Sequence, residues 1–216
     1  MKNPNNRKGF TLLELIIFIA IIAIAAGFLW PVFNSMKPKM RLNGAVRMVQ
    51  GDLMWARMRA ISENNDFAII FGSAGVPPDL SNNTYYIYDD NDGDFGTVGP
   101  ETGELVKTGV IPDQYKGVGY GFVTGIYDGN PQINEGVDPS VTFSSKDFGG
   151  LVGRRIWFKF EPTGRSNKAG SIYLIQNEGP TTINSRRKRM YKITVITTGR
   201  IGTYRWHSGP SDGIWE

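Results

Sequence analysis

The first third of the chain has a helical pattern of apolar positions, and its opening part is almost purely apolar. From Phe10 to Trp30 the only polar residues are Thr11 and Glu14. At about 1.5 Å per residue, these 21 residues span roughly 31 Å, which is close to the hydrocarbon thickness of a bilayer. The segment therefore predicts a transmembrane helix near the N-terminus.

Beyond Met40 the apolar residues recur at spacings of three and four, as on the buried face of an amphipathic helix. They are Leu42, Ala45, Val46, Val49, Leu53, Ala56 and Ala60. Pro31 and Pro38 lie between the two parts, and a proline inside a helix tends to kink it. We therefore predict one long, kinked helix from Phe10 to about Asn64, half in lipid and half in water.

After residue 66 the pattern changes to short runs rich in aromatic and β-branched residues, separated by clusters of Gly, Pro, Asn and Asp. The runs are Phe67–Phe71, Thr84–Tyr88, Gly117–Val123, Val141–Phe143, Ile156–Phe160, Ser171–Ile175 and Tyr191–Thr197. Such spacing is typical of antiparallel strands. The predicted fold class is α+β, in which an antiparallel sheet, or a pair of sheets, packs on the water-exposed half of the helix.

Composition and charge argue against several classes of protein, such as disulfide-stabilised domains and general nucleic-acid binders. The chain has 27 glycines and 12 prolines, in keeping with many turns, and no cysteine, which excludes a disulfide framework or a thiolate site. The net charge is +4, but residues 1–9 contain three basic side chains and no acidic one. Without them the chain has 21 basic and 20 acidic side chains, a balance that gives little support for a broad nucleic-acid-binding face.

The distinctive chemistry lies at the start of the apolar segment, where Gly9 precedes Phe10 and Glu14 follows. A carboxylate in lipid costs about 2.5–3.5 kcal/mol at mid-membrane and less near the interface, so Glu14 needs a partner. Cleavage after Gly9 would create one, because the new α-amino group at Phe10 has a usual pKa of roughly 7.7–8. At about 4 Å and an effective dielectric near 20, the attraction is roughly 4 kcal/mol before desolvation is counted. The amine could belong to the same helix or to an adjacent one.

The sequence from Gly9 to Glu14, followed by an apolar helix, resembles the prepilin cleavage and methylation site of type IV pilins and type II secretion pseudopilins. The resemblance implies a leader over residues 1–9, cleavage after Gly9 by a prepilin peptidase/methyltransferase, and N-methylation of Phe10. It also assigns Glu14 to subunit registration and Pro31 to a helix kink. The expected parts are 10–31 in the inner membrane, 32–64 as the amphipathic half of the helix, and 65–216 as a periplasmic β domain that joins a filament with other pilin subunits.

Later motifs resemble the GspH/FimT-like class of minor pilins and pseudopilins. That class commonly has a strand followed by an acidic Asp-Gly turn, a Phe-x-Pro-x-Gly turn and a terminal strand that closes with Gly-Arg. The matching stretches are Tyr85–Asp94, Phe160–Arg165 and Ile193–Ile201. Without the resemblance, Gly164 and Gly199 suit turn positions of positive φ.

Four alternatives stay open. Ala23-Ile24-Ala25 has the small-x-small shape of a secretory cleavage site, which would leave Ala26 as the first residue. The segment could instead be an ordinary signal anchor with a chance glutamate. A DNA-binding minor pilin for DNA uptake would use the basic run Arg186, Arg187, Lys188 and Arg189, although such a run is more often a solvated loop. A membrane-anchored adhesin or sensor would never polymerise.

The acidic turn also invites comparison with a calcium loop. Asp90, Asp92 and Asp94 alternate, and Glu101 takes the twelfth position of an EF-hand loop counted from Asp90. However, Phe95 stands at the sixth position, where that loop requires glycine. We therefore expect a solvated turn without a metal, and no cofactor.

Catalytic chemistry has no positive sign in the sequence. His207 is the sole histidine, and no Gly-x-Ser-x-Gly elbow, P-loop or metal-ligand spacing is present. The sequence therefore favours a structural protein over an enzyme.

Overall fold

The structure is a computed structural model that describes residues 10–72, 82–95, 97–101, 103–120, 145–147, 154–176, 190–207 and 214–215. Two helices and ten strands lie within them. In chain order they are α1 (Leu12–Glu63), β1 (Asp66–Phe71), β2 (Thr84–Asp90), β3 (Leu105–Val110), α2 (Ile111–Gln114), β4 (Val118–Tyr120), β5 (Ser145–Asp147), β6 (Arg154–Phe160), β7 (Gly170–Gln176), β8 (Met190–Val195), β9 (Ile201–His207) and β10 (Ile214–Trp215).

The strands form two five-stranded antiparallel sheets. The first has the order β3-β2-β1-β6-β5 and the second the order β10-β9-β8-β7-β4. In the first sheet β1 pairs with β2 on one side and with β6 on the other, so it is the central strand. A long helix with antiparallel sheets is the predicted α+β class, which is confirmed, and of the two predicted arrangements the chain has the pair of sheets.

The chain divides into two compact units, residues 1–39 and 40–216. In the described part of the first unit, the helical segment Leu12–Trp30 has a mean hydropathy of 2.8, and none of it is buried. By length and composition, this segment can cross a membrane. α1 is continuous through Pro31 and Pro38, and it ends at Glu63, one residue before the predicted end.

In the second unit, the predicted stripe of α1 lies in the core. Its seven apolar residues, from Leu42 to Ala60, are at most 5% exposed. They belong to one apolar cluster with the inward-facing residues of both sheets, such as Phe67 and Phe158 in the first sheet and Ile172 and Ile193 in the second. The period of three and four therefore identified the buried face of the helix correctly.

The first sheet is apolar on its other face as well. Ala68, Ile70 and Trp157 point away from α1 and pack against Phe95, which comes from the loop between β2 and β3. The ring centroid of Phe95 lies 5.4 Å from that of Trp157 and 5.6 Å from that of Tyr88. As a result β1 is buried on both faces, and its sequence reads as a continuous apolar run.

Four strands, β3, β5, β9 and β10, were not predicted. β3 lies at the edge of its sheet and half of its residues are exposed, whereas β9 has a glycine at its second position and mixes polar with aromatic residues. An exposed edge strand needs no alternating apolar pattern, so periodicity does not find it. The predicted run Gly117–Val123 contains β4, and its remainder from residue 121 lies outside the described residues. So does Val141–Phe143.

Candidate assembly site and acidic loop

The N-terminus of α1 has a reciprocal capping arrangement. The backbone N–H of Thr11 donates to Glu14 Oε2 at 3.1 Å, and the backbone N–H of Glu14 donates to Thr11 Oγ1 at 3.2 Å. This is a capping box, in which the residue before the helix and the third helical residue satisfy each other's donors. Glu14 therefore already stabilises its own helix within one chain.

The capping box gives Glu14 a structural role in its own helix in addition to its charge. Both Thr11 and Glu14 are exposed, so the carboxylate keeps its charge accessible to a second partner while it caps the helix. Glu14 was predicted as a site residue from its charge, whereas Thr11 was not predicted as a helix cap. The Thr-x-x-Glu spacing was the sign that could have found it.

The other predicted assembly residues are placed as follows. Phe10 is 87% exposed, directly before the capping residue Thr11. Pro31 lies inside α1, and the kink implied for it stays a prediction. Gly9 falls outside the described residues, as do Arg186, Arg187, Lys188 and Arg189, so the DNA-uptake alternative also stays a prediction.

The acidic turn predicted from Asp90, Asp92 and Asp94 follows β2. Gly93 has φ +77°, and the backbone N–H of Asp94 donates to Asp92 Oδ1 at 3.3 Å. Directly after this turn, Phe95 is fully buried in the apolar layer on the outer face of the first sheet. This burial explains why an aromatic residue stands where an EF-hand loop has glycine.

The loop brings together a different set of acids from the EF-hand spacing. Carboxylate oxygens of Asp90, Asp92 and Glu104 all lie within 4.8 Å of one another. Neither Asp94 nor Glu101 belongs to this group. Instead, the backbone N–H of Glu101 donates to Glu104 Oε2 at 3.2 Å. Sequence spacing missed Glu104 because its approach depends on the pairing of β3 with β2.

The two turns singled out by their glycines meet α1. Gly164 and Gly199 have φ values of +74° and +78°, which confirms the predicted turn conformations. Arg57 Nε donates to the carbonyl oxygen of Gly164 at 2.8 Å. The backbone N–H of Ser166 donates to the carbonyl oxygen of Thr197 at 3.1 Å and so joins the turns to each other. The Phe-x-Pro-x-Gly and Gly-Arg motifs thus form one structural junction, with Arg57 as its helical member.

The N-terminal part of the chain matches a known sequence motif. Residues 4–30 match the prokaryotic N-terminal methylation motif. The chain therefore carries the N-terminal motif of prokaryotic prepilins, as the resemblance predicted, and has an apolar helix of membrane-spanning length to go with it.

Among solved structures, the chain is similar to the type IV minor pilin FimU of Pseudomonas aeruginosa in two crystal forms. In one, identity is 13%, 76% of this chain and 88% of that chain are covered, and the TM-score is 0.37. In the other, identity is 12%, coverage is 74% and 90%, and the TM-score is 0.38. No curated protein matches the sequence significantly.

Proposed function

We propose that this chain is a structural subunit, a minor pilin or pseudopilin, of a type IV pilus or type II secretion filament. In this proposal a prepilin peptidase removes residues 1–9 and methylates Phe10. Before assembly, the subunit is anchored in the inner membrane with its β domain in the periplasm. The match of residues 4–30 to the methylation motif is the observation that carries the proposal.

The exposed apolar helix supports the proposal physically. None of the 19 residues of Leu12–Trp30 is buried by the described part of the chain, and aliphatic and aromatic side chains dominate their surface. Each fully exposed Leu, Ile or Phe that is transferred from water gains about 1.5–3 kcal/mol. Lipid before assembly, and neighbouring helices after it, would each provide that transfer.

Glu14 would act as the registering group. Once residues 1–9 are removed, the cationic amine of Phe10 lies next to the capping box on the same helix. An adjacent subunit can present its own amine to the Glu14 carboxylate, since the carboxylate is exposed. The pairing would fix the axial position of one helix against the next, while burial of the apolar surface drives association.

A set of three variants separates the charge of Glu14 from its capping role. Glu14→Gln keeps an oxygen that can accept from the Thr11 N–H but removes the charge, whereas Thr11→Val keeps the charge and breaks the box. Glu14→Ala loses both. The measurement is the fraction of subunit in sheared filaments relative to the amount in the membrane, detected by immunoblot in the native host.

If registration depends on charge, Glu14→Gln and Glu14→Ala both reduce incorporation at least tenfold, and Thr11→Val stays within about twofold of the original chain. The opposite pattern, in which Glu14→Gln assembles and Thr11→Val does not, would reduce Glu14 to a helix cap. If no filament forms and the Glu14→Ala protein still has normal localisation and normal adhesion or sensing activity, the non-polymerising adhesin or sensor would be supported instead.

A further inference from the structure

The part of α1 that follows its apolar segment carries basic residues and no acidic one. Between Glu14 and Asp52 every charged residue of the sequence is basic. These residues are Lys37, Lys39, Arg41 and Arg47. In the described part of the chain, neither Lys37 nor Lys39 forms an ion pair with an acidic side chain. The proposed assembly uses Glu14 and the apolar surface, so it gives these two lysines no role.

Lys37 lies beside two aromatic rings near the end of the apolar segment. Its Nζ is 5.1 Å from the ring centroid of Phe33 and 5.8 Å from that of Trp30. The three residues are separated by three and four positions, so they share one face of the helix. An ammonium group is attracted to the face of an aromatic ring, and this attraction holds the lysine against the rings.

These contacts fix the level of the Lys37 charge along the helix. Lys37 comes seven residues after Trp30, which places its Cα about 10.5 Å further along the axis. Helical side chains lean toward the N-terminus, and so the ammonium group lies back at the level of the Trp30 ring. Trp30 ends the segment that can cross a membrane, and tryptophan is enriched where hydrocarbon meets the headgroups. The charge therefore stands at the level of lipid headgroups.

Lys39 extends the cationic surface around the helix. It comes two residues after Lys37, a rotation of about 200°, so it lies on the opposite side of α1, where it is exposed. Arg41 differs from both lysines, because its Nη1 donates to the carbonyl oxygen of Lys116 at 3.3 Å within the second unit. Lys37 and Lys39 thus present ammonium groups on two sides of the helix just beyond the apolar segment.

We propose that Lys37 and Lys39 bind the phosphate groups of anionic phospholipids. An ammonium group has three donors for phosphate oxygens, and a basic residue at an anionic membrane surface strengthens binding about fivefold. Lipid is the expected source of the phosphate, because the Lys37 ammonium lies at headgroup level. Binding would fix the depth of the helix and surround the subunit with anionic lipid before assembly. This inference rests on the membrane anchor of the proposed function and does not depend on a filament.

The test uses the full chain in vesicles made of equal parts phosphatidylglycerol and phosphatidylcholine. After mild detergent extraction, native mass spectrometry measures the ratio of the two lipids that the chain retains. The original chain should favour phosphatidylglycerol at least tenfold. Lys37→Gln and Lys39→Gln should each lower this preference about fivefold, and the double variant at least tenfold. Both side chains lie outside the apolar core, so the variants should fold, and far-ultraviolet circular dichroism checks this.

Two matched variants separate this site from the charge of the protein in general. Lys37→Arg keeps a cation beside the rings and should keep the lipid preference within about twofold. Arg200→Gln removes an exposed cation from the second unit and should leave the preference unchanged. Equal retention of the two lipids by the original chain would overturn the proposal, and so would an unchanged preference in the double variant.

Alkaline carbonate treatment of the same vesicles distinguishes failure of this inference from failure of the membrane anchor. A chain that carbonate releases has no membrane-spanning anchor, which contradicts both the proposed function and the lipid site. A chain that resists carbonate and retains both lipids equally contradicts the lipid site alone.

Discussion

At the scale of single residues, Lys159 is the cation that lets two acids lie inside the first sheet. It points from β6 toward Asp66 of β1 and Asp90 of β2, and its side chain is 17% exposed. Burial alone would lower the pKa of Lys159, but the hydrogen bond to Asp66 and the charges of Asp66 and Asp90 outweigh it and raise that pKa. Folding therefore favours the charged ammonium.

Removal of this cation should destabilise the protein. Lys159→Met leaves Asp90 fully buried and Asp66 largely buried without their cation, so we expect a loss of about 2–4 kcal/mol at pH 7. Lys107→Met is the matched control, because it also removes a lysine from an ion pair. Lys107 pairs with Asp52 alone, and its side chain is 41% exposed. That variant should lose less than about 1 kcal/mol. Urea unfolding of both proteins measures the difference, and equal losses would contradict the account.

The ion pairing of Lys159 with Asp66 and Asp90 also predicts that the stability of the protein depends on pH in the alkaline range. A lysine whose pKa is raised in the folded state stabilises the fold below its unfolded value of about 10.5, and that contribution disappears as pH rises through the folded pKa. The stability of the original chain should therefore fall more steeply above pH 10.5 than that of Lys159→Met. Parallel curves would show that the ion pair adds no stability.

At the scale of elements, α1 contacts two turns, one containing Gly164 and one containing Gly199, which lie close to each other. A Cβ atom on Gly199 would overlap the carbonyl oxygen of Gly164, which is the oxygen that accepts from Arg57. The positive φ of Gly199 adds roughly 1–2 kcal/mol for any residue with a Cβ. The junction therefore requires glycine for its backbone conformation and for space.

Gly199→Ala should consequently cost about 2–4 kcal/mol of unfolding free energy. The matched control is Gly51→Ala, which makes the same glycine-to-alanine change inside α1. The Cβ added there has no neighbouring atom within 4 Å apart from the helix's own backbone. That change should stabilise the protein by about 0.5–1 kcal/mol, because alanine is the better helix former. Thermal unfolding with near-ultraviolet circular dichroism compares the two. A Gly199→Ala protein as stable as the original would contradict the packing described here.

Elements with a buried face could be predicted, and elements without one could not. The stripe from Leu42 to Ala60 is periodic because one face of the helix is buried, and the strand Phe67–Phe71 is continuously apolar because both of its faces are buried. β3 exposes Leu105 and Val106, and β9 exposes Tyr204, so these strands depend on pairing with a neighbour. The position of Glu104 follows from that pairing and could not be predicted from spacing.

At the scale of the whole molecule, the two units have opposite relations to water. The described part of residues 1–39 presents exposed apolar side chains along α1, whereas residues 40–216 enclose a core between two sheets. The methylation motif and the apolar helix of the first unit could be predicted, because basic residues, a glycine and one acid in an apolar run form a specific local pattern. The choice among the proposed pilus, secretion filament and DNA-uptake functions would depend on the surface of the β domain, and a surface has no comparable sequence pattern.

The central claim is that proteolysis produces a charged partner for Glu14, and the mass of the mature N-terminus tests it most directly. The chain should be purified from the membranes of its own host and its N-terminal peptide sequenced by tandem mass spectrometry. The account predicts a chain that begins at Phe10 and carries one methyl group on its α-amine. A chain that retains residues 1–9, or one that begins at Ala26, would contradict it.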